Sequence, residues 1–299
     1  MEVGHGNGLG ASSLQLGKSL HSDKEVLRVA RNCLKNTKLG IHIIPGFGCI
    51  DRDLRLGVDE GVDVVRVASH CTEADTTKNH ILYARQAGCE VYGVLMMSHM
   101  APAEKLLEEA KKMESYGAQG IIVMDSAGFY LMDDVRRRIS LLVENLDISV
   151  GFHGHNNMGL AVANSLVAVE AGATIIDGTI CGFGAGAGNT PLEIIVAVLK
   201  RSKYDININL DKILDAAEAV SQTFVKEYPK VSPLSLVSGL TGVFSGFAKP
   251  VEKAANEFNV NSRDIFYELA KIKVVAGQED LIIEVAKKLS TTETNKKTA

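Results

Sequence analysis

A short run of Val, Ile and Leu returns every 25 to 30 residues or so along this chain, and an amphipathic stretch follows each run. The runs are Met1–Val3, Gly40–Ile44, Val62–Ala68, Glu90–Met97, Gly120–Met124, Ile148–Phe152 and Thr174–Ile180. Near-continuous apolar runs of strand length are buried on both faces, which is the environment of a parallel sheet. The stretches between them carry helix signals. Asp23–Asn36 opens behind Ser22, a favourable N-cap, with Glu25 placed to complete a capping box. Ala101–Tyr116 has Pro102 in its first turn and stops at Gly117. Leu131–Glu144, Gly159–Ala171 and Pro191–Lys203 repeat the pattern. Strict alternation of strand and helix gives βα units around a parallel sheet.

Two architectures satisfy that alternation, and the polar residues separate them. Groups capable of chemistry sit at many strand ends: His5, Ser69-His70, Ser98-His99, Asp125-Ser126 and His153–His155. Such a spread suits the mouth of a closed barrel, whereas a doubly wound sheet gathers its site at one switch point. The expected fold is α/β, a TIM-type (β/α)8 barrel. Seven runs stand where about eight strands close such a barrel, and the first begins at Met1. The expectation is therefore a barrel lacking its first βα unit, plus a helical C-terminal region. After Tyr204 the strand signal stops, and Leu210–Lys226, Pro233–Ala248, Val251–Asn259, Ser262–Leu269 and Asp280–Leu289 read as helices. The expected organisation is an incomplete barrel over 1–204, a helical partner-docking region over 205–289 and a disordered tail over 290–299.

Composition narrows the function classes. Lys and Arg number 32 against 36 Asp and Glu, a net charge of −4 with no basic footprint, which argues against a nucleic-acid partner. An apolar fraction of 46% supports a sizeable core and excludes a disordered or fibrous chain. No stretch approaches the roughly 18 apolar residues of a membrane helix, and Met1-Glu2-Val3-Gly4-His5 does not read as a signal peptide. Cys33, Cys49, Cys71, Cys89 and Cys181 are odd in number, scattered and without zinc-type spacing, as in a reduced, cytoplasmic protein.

The strongest chemical signal is Gly151-Phe152-His153-Gly154-His155-Asn156-Asn157, at the end of one strand. Residues i and i+2 of a strand point to one side, so His153 and His155 can converge on one divalent ion; two hydrogen-bonded rim histidines are the alternative. A catalytic ion needs further ligands and open positions, and Asp125 and Asp177 are candidates near other strand ends, although capping or core hydrogen bonding suits each better. Ser126 lacks a nucleophile-elbow pattern and reads as a substrate contact or a loop cap. In Ser69-His70-Cys71-Thr72-Glu73-Ala74-Asp75, Cys71 beside His70 suggests a thiol nucleophile, but neighbours on a strand face opposite ways. Thr72 as an N-cap with Asp75 at N3 is the plainer expectation. The Gly-rich Cys181–Asn189 segment could hold a phosphate at a helix start or simply form a tight turn. Met96, Met97 and Met100 read as core packing.

These motifs resemble a family. Glu2–Leu9, Val65–Asp75, Leu95–Met100, His153–Asn157, Gly184–Asn189 and Gly277–Asp280 are similar to segments of the 4-hydroxy-2-oxovalerate aldolases, and the likeness runs over nearly the whole chain. These are class II pyruvate aldolases on a (β/α)8 barrel, within the wider group of hydroxymethylglutaryl-CoA lyase and isopropylmalate synthase. The resemblance implies cleavage of a 4-hydroxy-2-oxoacid to pyruvate and an aldehyde with a divalent metal, typically Mn²⁺. It makes His153 and His155 metal ligands and Ser126 and His153 substrate contacts. It also implies an acylating acetaldehyde dehydrogenase as partner, docked on the helical C-terminal region. Family members open with a strand ending in Arg-Asp-Gly and a nearby His, which supply the third ligand, an enolate-stabilising Arg and the base. No residues among these 299 match that segment, so the catalytic base is unassigned and little turnover is expected of residues 1–299 alone. A family Tyr that reaches the site from the C-terminal region is matched by Phe244. Two other readings stay open at this stage: a related Claisen-type synthase using an acyl-CoA, and a non-catalytic scaffold partner of an aldehyde dehydrogenase.

Overall fold

The structure is a computed structural model that describes residues 1–299 except 14–16, 225–226, 276 and 298–299, with the side chains of 292–297 also outside the description. Among the described residues, six strands form one sheet: β1 (Gly40–Ile43), β2 (Val64–His70), β3 (Glu90–Met96), β4 (Gly120–Asp125), β5 (Ser149–Gly154) and β6 (Ile175–Ile176). They pair in chain order from β1 to β6. The first three pairings are parallel, with Gly40 opposite Val64, Val64 opposite Glu90 and Tyr92 opposite Gly120. Each strand beside the next in sequence is barrel topology; a doubly wound order would reverse at a switch point. The helices are α1 (Asp23–Cys33), α2 (Arg55–Asp59), α3 (Lys78–Gln86), α4 (Ala103–Ser115), α5 (Met132–Asn145), α6 (Ala161–Glu170) and α7 (Leu192–Arg201) between strands and after β6, then α8 (Leu210–Phe224), α9 (Pro233–Thr241), α10 (Ala248–Phe258), α11 (Ser262–Lys271) and α12 (Asp280–Lys297).

Local chemistry explains most boundaries. Ser22 caps α1 as expected: its side chain accepts from the Glu25 amide while the Glu25 carboxylate accepts from the Ser22 amide at 2.8 Å. Pro102 stands just before α4 rather than inside its first turn, with an extended ψ of 159°. Gly117 follows that helix at φ +105°, a conformation that favours glycine. Ser232 and Ser235 form a second capping box at α9, with Pro233 in the first turn and Gly242 left-handed at the end.

Four expectations are corrected. Met1–Val3 is not a full strand: only Glu2 bridges Gly40 in parallel, with the Gly40 amide donating to the Met1 carbonyl at 2.8 Å. The strand expected over Thr174–Ile180 is regular only at Ile175–Ile176, because Thr179 leaves it to bridge Pro191. Thr72 is not an N-cap. A 3-10 turn begins at Ala74 behind Glu73, and the Thr72 hydroxyl is taken by His70 Nδ1 at 2.9 Å. The tail expected to be disordered from Ser290 is helical through Lys297. The Thr291 hydroxyl donates back to the Lys287 and Lys288 carbonyls there, and 298–299 lie outside the described residues.

Contacts divide the chain into two units. The first is Met1–Met124, Arg137–Gly151 and Ala171–Ile175. Its inner core is Ala68, Val94 and Ile122 from successive strands, with Ile44, Tyr92, Met96, Met124 and Ile175 packed against them. The second is Asp125–Arg136, Phe152–Glu170 and Ile176–Ala299. The helices that follow β6 carry a core of their own in this unit. Phe247, Val251, Ile265, Phe266, Leu269 and Ile282 fill it, all essentially excluded from solvent. No described helix is long and apolar enough to cross a membrane.

Candidate active site

The second unit gathers the residues that follow β4, β5 and β6. His153 and His155 are on one side of β5's end, as their i, i+2 spacing requires. Their ring centroids are 5.2 Å apart at an interplanar tilt of 53°. Gly154 between them is closely packed: a Cβ there would stand 3.0 Å from the Phe152 ring and 3.3 Å from Thr190 Oγ1.

The two imidazoles are prepared differently. His153 Nδ1 lies 2.9 Å from Asp177 Oδ2. A carboxylate accepts, so Nδ1 donates to Asp177 and the Nε2 edge of the ring faces away from that carboxylate. His155 is 8% exposed, and its Nδ1 is buried without a hydrogen-bond partner. Burial, and then the neighbouring His153, push its pKa down to about 3, against an opposing hydrogen bond at Ala185. At neutral pH it is therefore an uncharged imidazole, the ligand form. These features fit a divalent ion that takes nitrogen donors: two rings converge, one is oriented by a carboxylate and the other is uncharged with an unused buried nitrogen. Among the described residues, no group of three His, Cys, Asp or Glu side chains completes such a site.

Asp125 does what capping predicts. Its carboxylate accepts from the Phe129 amide at 2.8 Å and the Tyr130 amide at 3.1 Å, closing the loop after β4. Ser126 follows it and is 1% exposed; its carbonyl accepts from the Ser245 hydroxyl at 2.8 Å. The Gly-rich Cys181–Asn189 segment is a turn rather than a phosphate cradle. The amides of Gly182, Ala187, Gly188 and Asn189 are already bonded to Thr179, Asn157, Ala185 and Gly182. Asn189 bridges His155, and the Asn156 amide donates to the Gly188 carbonyl at 2.8 Å, so this turn lies along the end of β5. Phe244 is partly buried, its ring edge-on to Phe247 at 5.6 Å.

Two residues have roles that sequence reasoning did not assign. Asp177 orients His153; the signal was its place one βα repeat downstream, at the end of the adjacent strand. Asn157 is fully buried and ties four segments together. Its Nδ2 lies 2.9 Å from the Ala127 carbonyl, 3.2 Å from Ser238 Oγ and 2.7 Å from Ser245 Oγ, while Oδ1 accepts from the Ala187 amide at 2.9 Å.

In the first unit, Cys71 is not a thiol nucleophile. Cys71 Sγ is 3.9 Å from His70 Nδ1, so the two do meet despite their adjacency. Burial pushes the Cys71 thiol up to about 12, which leaves it protonated and unreactive. Ser98 bonds the Met124 carbonyl at 2.7 Å, and His5 contacts the Gly17 carbonyl at 3.2 Å. Cys33 and Cys49 are exposed, whereas Cys71, Cys89 and Cys181 are buried. Native protein at pH 8 is expected to take up two equivalents of iodoacetamide rapidly and five only in denaturant; rapid labelling of Cys71 by mass spectrometry would contradict this assignment.

The HMGL-like family model matches residues 7–220, and a DmpG-like communication domain matches residues 229–291. A 4-hydroxy-2-oxovalerate aldolase of Pectobacterium atrosepticum is 59% identical over 290 residues, covering 97% of this chain and 84% of that protein. One from Spirochaeta aurantia is 58% identical over 289 residues, covering 97% and 85%. Among solved structures, the carboxyl transferase domain of Rhizobium etli pyruvate carboxylase superposes with a TM-score of 0.77 at 17% identity, over 91% of this chain and 52% of that one, which speaks to the fold alone. The chain belongs to the HMGL-like family and, within it, to the 4-hydroxy-2-oxovalerate aldolases.

Proposed function

We propose that this protein cleaves 4-hydroxy-2-oxovalerate to pyruvate and acetaldehyde with a divalent metal ion, Mn²⁺, held by His153 and His155. The observation that carries the reading is the His153–His155 pair in its prepared state. Burial keeps one ring uncharged and a carboxylate orients the other, in a chain 59% identical to a named aldolase. When bound, the ion supplies a Lewis acid for charge that develops on the 2-oxo group. The chain's own groups do the rest that these residues can do. Asp177 fixes the tautomer of His153, so that its Nε2 lone pair points away from the carboxylate. Burial of His155 stops protonation from competing for its nitrogen. Ser126 donates to a substrate oxygen, and His153 borders the same substrate. Residues 229–291, which match a communication domain, are read as the docking part for an acylating acetaldehyde dehydrogenase, and the compartment as the cytoplasm.

The test is direct. The protein is incubated with Mn²⁺ and 4-hydroxy-2-oxovalerate, and pyruvate is followed by coupled NADH oxidation. Slow pyruvate release that EDTA stops and Mn²⁺ restores is the expected result, well below the rate of a relative such as the Pectobacterium atrosepticum aldolase, because no residue among 1–299 is assigned as the base. Absence of pyruvate, with thiol release from acetyl-CoA and a 2-oxoacid instead, would replace the aldolase reading by a Claisen-type synthase.

Asp177→Asn keeps the size of the side chain but weakens the hydrogen bond that orients His153. Loss of an outer partner of a metal-bound histidine costs about 10–100-fold in metal affinity. Calorimetric titration with Mn²⁺ is expected to show a drop in that range, and an unchanged affinity would remove Asp177 from the site.

A further inference from the structure

We propose that Asn157 and Ser245 are positioning residues that set the Ser126 segment from the Gly242–Phe247 segment behind α9. Ser245 Oγ donates to the Ser126 carbonyl at 2.8 Å, and the Ser245 amide reaches the same carbonyl at 3.4 Å. Asn157 Nδ2 reaches Ser245 Oγ at 2.7 Å and the Ala127 carbonyl at 2.9 Å. One amide therefore grips the residue after Ser126 directly and Ser126 itself through one hydroxyl. Its other face fixes Ala187 in the Gly-rich turn. Ser238, which also lies against Asn157, donates to the Val243 carbonyl at 2.7 Å and so holds the residue before Phe244. Every member is buried to within 2% of full exclusion.

The packing leaves this arrangement little freedom. A Cβ on Gly128 would stand 2.8 Å from the Asn157 amide and 2.9 Å from the His155 carbonyl. A Cβ on Gly239 would stand 3.0 Å from Asn157 Cβ and 3.3 Å from the Gly128 carbonyl. The loop after β4, the segment after β5 and the end of α9 thus leave no room for a side chain at Gly128 or Gly239 beside Asn157. A buried network with every donor matched favours a single geometry over neighbouring ones. A displacement of the Gly242–Phe247 segment moves Ser126, because the linking bonds run to main-chain carbonyls and not to flexible side-chain ends. Asn157 and Ser245 are assigned no contact with a reacting atom; they act through Ser126. The substrate part of the proposal rests on the aldolase reading.

The experiment compares Ser245→Ala, Asn157→Ala and Ser165→Ala with the unaltered protein. Ser165 is the control. It is a buried hydroxyl of the same unit, bonded to the Ala161 carbonyl at 2.8 Å and to Thr190 Oγ1 at 3.0 Å, and it makes no bond to the Ser126 segment. Pyruvate binding at saturating Mn²⁺, Mn²⁺ binding alone, and hydrogen exchange at the Gly128, Phe129 and Tyr130 amides are measured for each. Ser245→Ala is expected to weaken pyruvate about five- to tenfold, the loss of about one buried hydrogen bond, with Mn²⁺ affinity within twofold. Exchange at the three amides is expected to rise about tenfold in Ser245→Ala and more in Asn157→Ala, while Ser165→Ala changes neither readout. Should Asn157→Ala fail to fold, Ser245→Ala alone decides. Unchanged exchange and unchanged pyruvate affinity in Ser245→Ala would overturn the proposal, as would an equal effect from Ser165→Ala. If the unaltered protein binds no pyruvate, the aldolase reading fails, and the exchange measurements still decide whether Ser245 positions the Ser126 segment.

Discussion

His155→Ala is expected to lower Mn²⁺ affinity by more than about 100-fold, beyond the ~10–100-fold that removal of an outer hydrogen-bond partner costs. The His155 imidazole adds little to the stability of the fold in itself. Its Nδ1 is buried and unbonded, and burial holds the ring uncharged. A buried polar atom without a partner costs on the order of 1–3 kcal/mol, so the native ring is an expense to the fold. Removing it loses van der Waals contacts but also relieves that expense. His155→Ala should therefore melt within a few degrees of the unaltered protein while metal binding collapses. Phe152→Ala, one strand position away from His153 and fully buried, should behave in the opposite sense. A large buried aromatic cut to alanine costs about 3–5 kcal/mol. Calorimetry with Mn²⁺ and thermal melts on both variants separate the two roles. A His155→Ala protein that binds Mn²⁺ as tightly as the unaltered chain would show that the rings are rim histidines and not ligands.

What could be read in advance depended on how far apart the partners are in sequence. The His153–His155 convergence follows from the two-residue period of a strand, and the structure places the rings together. The Ser22–Glu25 box is likewise local, and it forms as expected. Asn157 was invisible in its role because its partners lie 30, 81 and 88 residues away and are two main-chain groups and two serines, residues with no pattern of their own. Asp177 stands between these cases. Its distance of 24 residues from His153 is one βα repeat, so adjacent strand ends bring them together, but spacing alone did not distinguish it from a capping aspartate. The Thr72 expectation failed on competition: the hydroxyl that would have capped a helix is engaged by His70 two residues back. The short helices α2 and α3 carried no start signal, since a π-helical turn at Ile50–Leu54 and a 3-10 turn at Ala74–Thr77 lead into them in place of a capped first turn.

Glu109→Ala is expected to be among the most destabilising single changes in the first unit, by about 2–3 kcal/mol. Glu109 is a charged side chain with no solvent exposure, in the middle of α4. Its Oε2 accepts from the Ala74 amide at 3.0 Å, and its Oε1 takes Lys105 and Lys112, each at 2.9 Å. The two lysines are partly exposed and return to water when the carboxylate is removed, so they contribute little to the loss. The Ala74 amide has no such exit, and an orphaned buried donor costs about 1–3 kcal/mol. A cavity of several atoms adds to it. Glu109→Gln leaves an acceptor for that amide and removes only the charge, so it should cost about 1 kcal/mol. The pH dependence follows from the direction of the Glu109 shift. Burial pushes this carboxyl up, but the bonds from Lys112, Lys105 and Ala74 outweigh it and hold the group below its ordinary value of 4.5. The unfolded chain then binds more protons than the folded one as acid is added. The stabilisation is complete above pH 4.5 and is lost as pH falls from there through the lower folded value. Urea unfolding between pH 3 and 7 should therefore show a shallower acid limb for Glu109→Gln than for the unaltered protein. Identical limbs would mean that the carboxylate is not held ionised in the fold, and that the two lysines merely lie near it.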